Sequence, residues 1–238
     1  MDILEKIKSL RGAGYRKIVE MRKGEEVTLP GFFIKKISKM EELPKFDDIT
    51  KTDVTYSVLE PFAYVNIKWD DSQKILIYNV IEPELSEEEK ENLEKISKAL
   101  IEMVEVGLEE IKEETKAIEY VKKNVDKILK DLGIKLSSGS YLKIMYYIYR
   151  NFVGYNEIHV ILNDPYIEDI SCDGINVPVY VVHRKYGSLK TNVYFSDGES
   201  LRKFIVKLAE RSGRYVSYAE PILDATLPDG SRVAATIA

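Results

Sequence analysis

The spacing of apolar residues changes twice along this sequence, and these changes limit the folds that it can adopt. Residues 64–69 and 75–80 are β-branched and aromatic runs separated by a polar turn, a pattern typical of a β-hairpin. From Ser86 the apolar residues recur every three or four positions, which favours amphipathic helices. After Gly154 short strand-like and helix-like runs alternate. The sequence therefore predicts an α+β fold, in which an N-terminal β-hairpin and a helical region precede a small α+β domain with a mostly antiparallel sheet and packed helices.

The helical region has recognisable start and stop signals. Ser86 and Glu89 have the spacing of a capping box, and an apolar stripe follows them. This stripe predicts one long helix or two, interrupted near Gly107 or Glu113, and ended by Gly133.

A further helix is predicted over residues 141–152, with Gly154 as a left-handed C-cap. Its tyrosines could form a stacking platform for nucleic acid, but no basic groove accompanies them, so amphipathic packing is the favoured interpretation. The remaining predicted elements are a helical turn at 156–162, strands at 167–171, 179–183 and 189–195, a helix capped by Ser196 and Glu199 that ends at Gly213, and strands 222–227 and 232–237 around the turn Pro228-Asp229-Gly230.

These patterns divide the chain into three predicted parts. Residues 1–51 show no sustained period and contain several glycines and prolines, so they are expected to be a flexible lead segment. Residues 52–153 form the predicted β-hairpin and helical subdomain. Residues 154–238 form the predicted α+β domain, which ends within its last strand.

Composition excludes several classes of protein. The single cysteine, Cys172, cannot form a disulfide within the chain or a thiolate metal site, as is usual in a reducing compartment. A formal net charge of -5 gives no bulk attraction to nucleic acid or anionic lipid. No stretch approaches the roughly 20 apolar residues of a membrane-spanning helix, and the N-terminus lacks a signal-peptide core. We therefore expect a cytoplasmic protein that binds no nucleic acid.

The sequence contains no recognisable catalytic motif. It lacks the Gly-x-x-x-x-Gly-Lys-Ser/Thr spacing of a phosphate-binding loop and the Gly-x-Ser-x-Gly of a nucleophile elbow. Neither His159 nor His183 has a second metal ligand at a helical or hairpin offset. Glu168 and Asp169 are adjacent on a strand and are expected to project to opposite sides, so they do not form an acid–base pair. The chain is therefore predicted to have no catalytic residue, metal or cofactor of its own.

Three sequence blocks, in this order and spacing, resemble the N-terminal domain of archaeal type II/IV secretion ATPases, a family that includes the archaellum motor ATPase. Two upstream segments resemble the early β segment of the same family. The blocks are residues 164–170, 179–187 and 221–233, and the upstream segments are 56–65 and 78–83. The resemblance covers roughly residues 52–238. Residues 1–50 show none, and the chain ends before the phosphate loop, acidic boxes and histidine box that lie downstream in the family.

The resemblance implies that the parent protein is a hexameric ATPase using ATP and Mg²⁺, although the chain alone is expected to be inactive. Each N-terminal domain would move against a RecA-like C-terminal domain and lend arginines to the bound nucleotide. Matched by motif, the arginine is Arg232 in the Pro-Asp-Gly-Ser-Arg turn. Arg184 and Arg214 are further candidates. The alternative for each is a solvated surface arginine, paired or unpaired.

Four other residues are candidates for subunit contacts or for local structure. Glu168 and Asp169 could orient a subunit contact, but protection of an exposed strand edge is the favoured interpretation. Asp229 and Gly230 have a similarly local alternative, since Asp before Gly favours a tight turn.

The partners implied by the resemblance are five further copies in a homo-hexamer, the RecA-like domain, and a polytopic membrane platform protein, so the protein would lie at the cytoplasmic face of the membrane. Archaellum rotation, pilus assembly and protein secretion all use this domain. A competing hypothesis is a stand-alone interaction module that binds a partner through residues 86–152. A small enzyme that uses its carboxylates has the least support.

Overall fold

A computed structural model describes residues 31–37, 40, 42–103 and 113–237, and the flexibility predicted for residues 1–30 lies outside this range. Seven strands form one sheet in the order β1-β2-β3-β4-β7-β6-β5, and β8 and β9 form a separate two-stranded sheet. The strands are β1 (Lys35–Lys36), β2 (Asp53–Glu60), β3 (Ala63–Asp70), β4 (Ile75–Ile81), β5 (Ile167–Ser171), β6 (Tyr180–His183), β7 (Gly187–Thr191), β8 (Ile222–Thr226) and β9 (Arg232–Thr236). The predicted α+β fold with a mostly antiparallel sheet is confirmed.

One parallel pairing joins the two halves of the large sheet. The predicted hairpin of β3 and β4 is present, with Trp69 opposite Leu76. β4 then pairs with β7 in parallel, and Tyr78 lies opposite Thr191. β7 ends at Thr191 rather than at the predicted residue 195, because Asn192 turns its side chain to bond both the N–H and the C=O of Val80 at 2.8 and 2.9 Å. The sheet therefore continues across the predicted domain boundary at 153/154.

Five α-helices lie within the described residues, and three of them form a layer with its own core. They are α1 (Glu87–Met103), α2 (Glu114–Asp131), α3 (Ser138–Ile148), α4 (His159–Leu162) and α5 (Gly198–Arg211). The apolar stripes of α1, α2 and α3 meet at Leu100, Val125 and Ile144, which are each fully buried. In the described part of the chain, no helix is both long and apolar enough to cross a lipid bilayer.

The start of the helical layer follows the sequence signals. The Ser86 amide donates to Glu89 at 2.8 Å, and the Glu89 amide donates back to the Ser86 hydroxyl at 3.2 Å, which confirms the capping box. The stripe forms two helices, and Glu113 is the N-cap of the second. The alternative interruption near Gly107 lies outside the described residues. Gly133 follows α2 with a φ of +64°, as the predicted C-terminal signal requires.

Tyrosines of α3 and of the turn that follows it are packing residues. Tyr141 and Tyr146 are each 0% exposed and Tyr149 is 1% exposed, so their rings contribute to the core, as predicted, and present no stacking surface.

The left-handed C-cap predicted at Gly154 is wrong. α3 continues as a π-helical turn, Tyr149–Val153, and Gly154 follows it in an extended conformation with φ -85° and ψ -156°. Glycine is needed there because a Cβ would lie 2.6 Å from Nδ1 of His159 and 2.7 Å from the carbonyl oxygen of Arg150. Glycine is therefore required because the side chain of any other residue would clash with these atoms, and not because the backbone is left-handed.

The start of α5 also differs from the prediction. Asp197, not Ser196, is its N-cap, and the Asp197 carboxylate accepts the Ser200 amide at 2.8 Å. Asp and Ser are nearly equal N-cap residues, so the sequence contained two adjacent candidates. α5 ends before Gly213, which has a φ of +67°. Its buried residues, such as Phe204 and Leu208, pack into the core shared by the large sheet and the β8–β9 hairpin.

The described part of the lead segment packs against the body of the protein. Phe32 contacts Phe62 and Tyr149, with ring centroids 5.5 and 6.1 Å apart. Leu43 is 7% exposed and packs with Val54. These contacts differ from the loosely structured segment that was expected. The physical reason is that a few large apolar residues spread over an aperiodic stretch can still cover the edge of a core.

Candidate functional site

The β8–β9 hairpin carries the leading predicted site residue, and its turn is built from local signals. Gly230 adopts a φ of +91°, and the Asp229 carboxylate accepts the Ser231 amide at 2.9 Å. Both residues thus have the local turn role that the sequence allowed as the alternative. One face of the hairpin buries Leu223 and Leu227 in the core, while the other face is open to solvent.

Arg232 lies on the solvent face of this hairpin and pairs with Asp224 on the neighbouring strand. Its Nε and a terminal nitrogen donate to the two carboxylate oxygens at 3.2 and 2.9 Å, which is a bidentate geometry. The side chains are 77% and 58% exposed. Hydrogen bonds from Arg232 and its charge lower the pKa of Asp224, and the Asp224 carboxylate in turn raises the pKa of Arg232. The pair is therefore well formed, ionised and accessible from solvent.

Arg214 is exposed and its charge acts on the same carboxylate as Arg232. Its charge also lowers the pKa of Asp224, after the larger effect of Arg232. Its backbone amide closes the end of α5 by donating to the Ala209 carbonyl at 2.8 Å. Two of the three predicted arginines are thus brought to one surface.

Three large apolar side chains that precede Asp224 in the chain are unusually exposed. Tyr215, Tyr218 and Ile222 are 76%, 72% and 75% exposed. The guanidinium of Arg202 lies 5.4 Å from the centroid of the Tyr218 ring, a cation–π distance. Exposed apolar residues next to charged ones are typical of a surface that contacts another protein or domain.

Arg184 belongs to a different sheet. It lies after β6 and pairs with Glu168 of β5 at 3.0 Å, with side chains 53% and 49% exposed. Another of its nitrogens lies 3.4 Å from the sulfur of Met40. The structure therefore does not bring Arg184 into the surface that carries Arg232.

Glu168 and Asp169 both lie on β5, at one edge of the seven-stranded sheet. Both residues are exposed, because the pairing of β5 with β6 shifts between Ile167 and Asp169 and breaks the strict alternation of faces. The prediction that they project to opposite sides assumes a regular strand without this bulge. Charges and a bulge on an edge strand are devices that discourage self-pairing, which fits the local interpretation.

A buried network around Asp164 was missed by the sequence analysis. The hydroxyls of Tyr56 and Tyr78 both donate to Oδ2 of Asp164 at 2.7 Å, and the Tyr166 amide donates to Oδ1 at 2.9 Å. Burial raises the pKa of Asp164, while the donated hydrogen bonds partly oppose that shift. Asp164 was part of a recognised block, but its two tyrosine partners are distant in sequence, so no local signal identified them.

His183 extends this network. Its Nδ1 accepts the amides of Lys185 and Tyr186 at 3.1 and 3.2 Å, and its ring stacks on Tyr166 with centroids 5.5 Å apart. Nε2 lies 3.3 Å from the Tyr56 hydroxyl. Burial lowers the pKa of His183 to about 4, with the charge of Glu168 opposing that shift. His183 is therefore a neutral hydrogen-bonding residue that shapes the β6–β7 turn.

A second buried cluster joins the end of β4 to α3. Arg150 donates to Glu82 at 2.7 Å, and the side chains are only 13% and 18% exposed. The Tyr146 hydroxyl donates to the other Glu82 oxygen at 2.5 Å. Arg150 also lies 4.8 Å from the centroid of Tyr147, whose hydroxyl donates to a backbone carbonyl.

Two cations of α5 hold the π-helical turn that ends α3. Lys207 donates to the carbonyl of Asn151 at 2.6 Å, and Arg211 donates to the carbonyl of Val153 at 2.6 Å. Next to this turn, the Tyr155 amide donates to Nδ1 of the buried His159 at 3.2 Å. Burial and the charges of surrounding cations hold the pKa of His159 well below its usual value. This cluster fixes the junction between the helical layer and α5.

Metal ligands do not converge in the described ranges, where no group of three His, Cys, Asp or Glu side chains is placed to hold an ion. The accessible cations of the candidate site include the side chains of Arg232 and Arg214. Guanidinium groups bind carboxylates and phosphates, which makes the β8–β9 surface suited to an anionic partner.

Comparisons with known proteins place this chain among related sequences. Residues 10–84 match the family described as PilB3-like, N-terminal, and the match includes most of the lead segment in which no resemblance was noticed. The uncharacterized protein MJ1288 of Methanocaldococcus jannaschii is 36% identical over 192 residues, which cover 81% of this chain and 76% of that protein.

Two longer proteins of the same organism are also similar. The uncharacterized protein MJ0900 is 32% identical over 244 residues, which cover 94% of this chain and 42% of that protein. The uncharacterized protein MJ0781 is 28% identical over 224 residues, which cover 86% of this chain and 31% of that protein. The aligned region thus spans less than half of each of these two relatives.

Proposed function

Because this chain belongs to the same family as MJ1288 and carries a PilB3-like N-terminal domain related to those of pilus and secretion ATPases, we propose that it is the non-catalytic, force-transmitting N-terminal part of such an ATPase. A RecA-like domain would bind ATP and Mg²⁺, and the chain would complete that site from outside. The assembly would be a homo-hexamer that contacts a polytopic platform protein at the cytoplasmic face of a membrane.

The surface of the β8–β9 hairpin supports this proposal best. The guanidinium group of Arg232 is planar and permanently charged, and a bidentate contact with Asp224 holds it on the solvent face of the hairpin. Both partners are largely exposed, so water can replace the contact at little cost when the arginine moves. A phosphate group of a nucleotide offers the same fork geometry with more negative charge. Asp224 would hold the arginine ready, and domain closure would transfer it to the nucleotide.

Arg214 would assist by charge rather than by direct contact with the reacting phosphoryl group. Its charge acts on the same carboxylate as that of Arg232, so both favour an anion at this surface. The exposed side chains of Tyr215 and Tyr218 would then form the apolar contact with the RecA-like domain. Arg184, which lies on another sheet, would have no part in the nucleotide site.

The proposal is tested by measuring ATP turnover of the hexameric ATPase that contains this domain, with matched arginine variants. Arg232→Ala should lower the turnover number about 10- to 1,000-fold with little change in nucleotide affinity, as for loss of one preorganised charge-stabilising donor. Arg232→Lys should restore activity only in part, because a point charge lacks the fork. Arg184→Ala is the matched control, since it removes an exposed, carboxylate-paired arginine elsewhere.

Near-normal turnover of a folded, hexameric Arg232→Ala enzyme would contradict the proposed role of this arginine. Equal losses in Arg232→Ala and Arg184→Ala would indicate a general effect of surface charge. A complex that lacks ATPase activity even with wild-type sequence would contradict the assignment to this class of machine.

A further inference from the structure

The exposed lysines of the two long helices, α1 and α2, differ in whether they form ion pairs within the helix. On α1 every lysine has a glutamate one turn away as an ion-pair partner. These pairs are Lys90 with Glu87 at 2.7 Å, Lys95 with Glu91 at 3.6 Å, and Lys98 with Glu94 at 2.7 Å. Pairs of this kind are self-contained and leave little net charge for another molecule.

On α2 three exposed lysines form no ion pair with a described residue, although Glu119 and Asp131 lie four residues from Lys123 and Lys127. The ion pairs that α2 lysines form with described residues are Lys116 with Glu113 and Lys122 with Asp126. Lys123, Lys127 and Lys130 are exposed and form none within the part of the chain that the structure describes. Their spacing of four and three residues places them on one stripe of the helix. This stripe faces away from the buried side of α2, which is formed by Val121, Val125 and Ile128.

The same face of α2 has a shallow groove of about 390 Å³. Its lining is formed by four basic and two acidic side chains, namely Glu119, Lys122, Lys123, Asp126, Lys127 and Lys130. The Asp126 carboxylate accepts two hydrogen bonds, one from Lys122 at 2.7 Å and one from the Tyr141 hydroxyl at 2.8 Å. Lys122 and Asp126 are therefore already engaged, while the three lysines that form no ion pair with described residues are available.

From this arrangement we propose that the α2 face is a docking surface for an acidic helix of another protein. The occupant would carry carboxylates at spacings of four and three residues, so that they meet Lys123, Lys127 and Lys130. This inference does not depend on the proposed ATPase role, because it rests on charges of the helical layer alone.

The pattern of charges distinguishes this occupant from other anionic partners. Glu119 lies among the lysines, so a uniformly negative membrane or nucleic acid would place some of its charge against a carboxylate, whereas a helix with spaced carboxylates can avoid it. A second copy of this chain fits less well, because three glutamates of α1 are already paired within the helix and the exposed Glu88 and Glu102 do not have the required spacing of three or four residues.

The inference is tested with the full chain and a synthetic helical peptide of three Ala-Glu-Ala-Ala-Ala-Glu-Ala heptads, whose glutamates form one stripe. An isomer with the same glutamates dispersed around the helix is the peptide control. Lys123→Gln, Lys127→Gln and Lys130→Gln are combined in one variant, and Lys90→Gln, Lys95→Gln and Lys98→Gln in a second. Both variants lose three positive charges from neighbouring helices, so their net charge is equal. Binding is measured by fluorescence anisotropy, and folding of each variant is checked by thermal melting.

We expect the striped peptide to bind at least tenfold more tightly than its isomer, and the α2 variant to lose that binding about tenfold. The α1 variant should change it less than twofold, and raising salt from about 50 mM to about 300 mM should weaken it. Equal losses in both variants, equal binding of the two peptides, or no binding by the wild-type chain would overturn the proposal. Tighter binding of phosphatidylglycerol vesicles or single-stranded DNA than of the striped peptide would also overturn it.

Discussion

Arg150 and Arg232 both pair with a carboxylate at about the same distance, yet the two pairs have opposite surroundings. Arg150 and Glu82 are 13% and 18% exposed, and Glu82 also accepts a hydrogen bond from Tyr146. Arg232 and Asp224 are 77% and 58% exposed. Removing one member of a buried pair leaves an uncompensated charge, while an exposed charge is readily solvated. Burial therefore separates an arginine that holds the fold together from one that is available to a partner.

The largest effect is expected from Arg150→Ala. It leaves the Glu82 carboxylate buried without its positive partner, so the free energy of unfolding should fall by about 3 kcal/mol, as is typical for a broken buried pair. Equilibrium denaturation with urea measures this change. Lys98→Ala, which breaks the exposed pair with Glu94, is the control and should leave the urea midpoint almost unchanged. A similar small change for Arg150→Ala would remove the contrast between the two arginine pairs.

The buried network around Asp164, which contains no arginine, provides a second test of how burial affects stability. Asp164→Ala leaves the hydroxyls of Tyr56 and Tyr78 without their acceptor, which should cost about 2 kcal/mol of stability. Asp164→Asn should recover only part of this, because its amide cannot accept from both tyrosines and from the Tyr166 amide. Denaturation midpoints of the two variants measure the difference. Full stability of Asp164→Ala would show that the network contributes nothing to folding.

The pH dependence of stability should reveal the neutral histidine of the same network. The pKa of His183 is lowered to about 4 in the folded chain, whereas an unfolded histidine has a pKa of about 6.5. The unfolded chain therefore binds a proton first, and stability is lost as the pH falls from about 6.5 through about 4. His183→Gln should flatten this decline in denaturation curves measured across that range. His159→Gln is a parallel variant, because His159 is also buried and neutral. An unchanged slope in both variants would assign the decline to carboxylates.

The smallest effect on stability is expected from Arg232→Ala. Water can solvate Asp224 after the substitution, so the melting temperature should shift by no more than about 2 °C. Differential scanning calorimetry measures this shift, with Arg184→Ala as the exposed control. A loss of stability comparable to that of Arg150→Ala would mean that the hairpin pair is structural, and the proposed availability of Arg232 would be wrong.

Local signals explain which parts of the fold were predictable. The β3–β4 hairpin, the capping box of Ser86 and Glu89, and the turn at Asp229 and Gly230 each depend on residues a few positions apart. The pairing of β4 with β7 does not, because it joins residues such as Tyr78 and Thr191 that are far apart in sequence. Such register is decided by the shared core rather than by local preference.

The candidate site was predictable only in part, for the same reason. Arg232 was identified from its motif, and its partner Asp224 lies in the same block. Nothing in the sequence separated Arg232 from Arg184 by location, since both lie beside turns between short strands. The structural importance of Asp164 and Arg150 was also hidden, because their partners are distant in sequence. The whole fold supplies both distinctions: burial separates Arg150 from Arg232, and association with different sheets separates Arg184 from Arg232.

The hydrogen bonds between α5 and the π-helical turn limit how these two elements can move relative to each other. Lys207 and Arg211 are one helical turn apart and hold the carbonyls of Asn151 and Val153. α5 therefore cannot slide along its axis without breaking at least one of these charge-assisted bonds. The β8–β9 hairpin and α5 share one hydrophobic core, to which Leu223 and Leu208 contribute. In the proposed force-transmitting role, a load applied at the hairpin would pass through α5 to the end of α3.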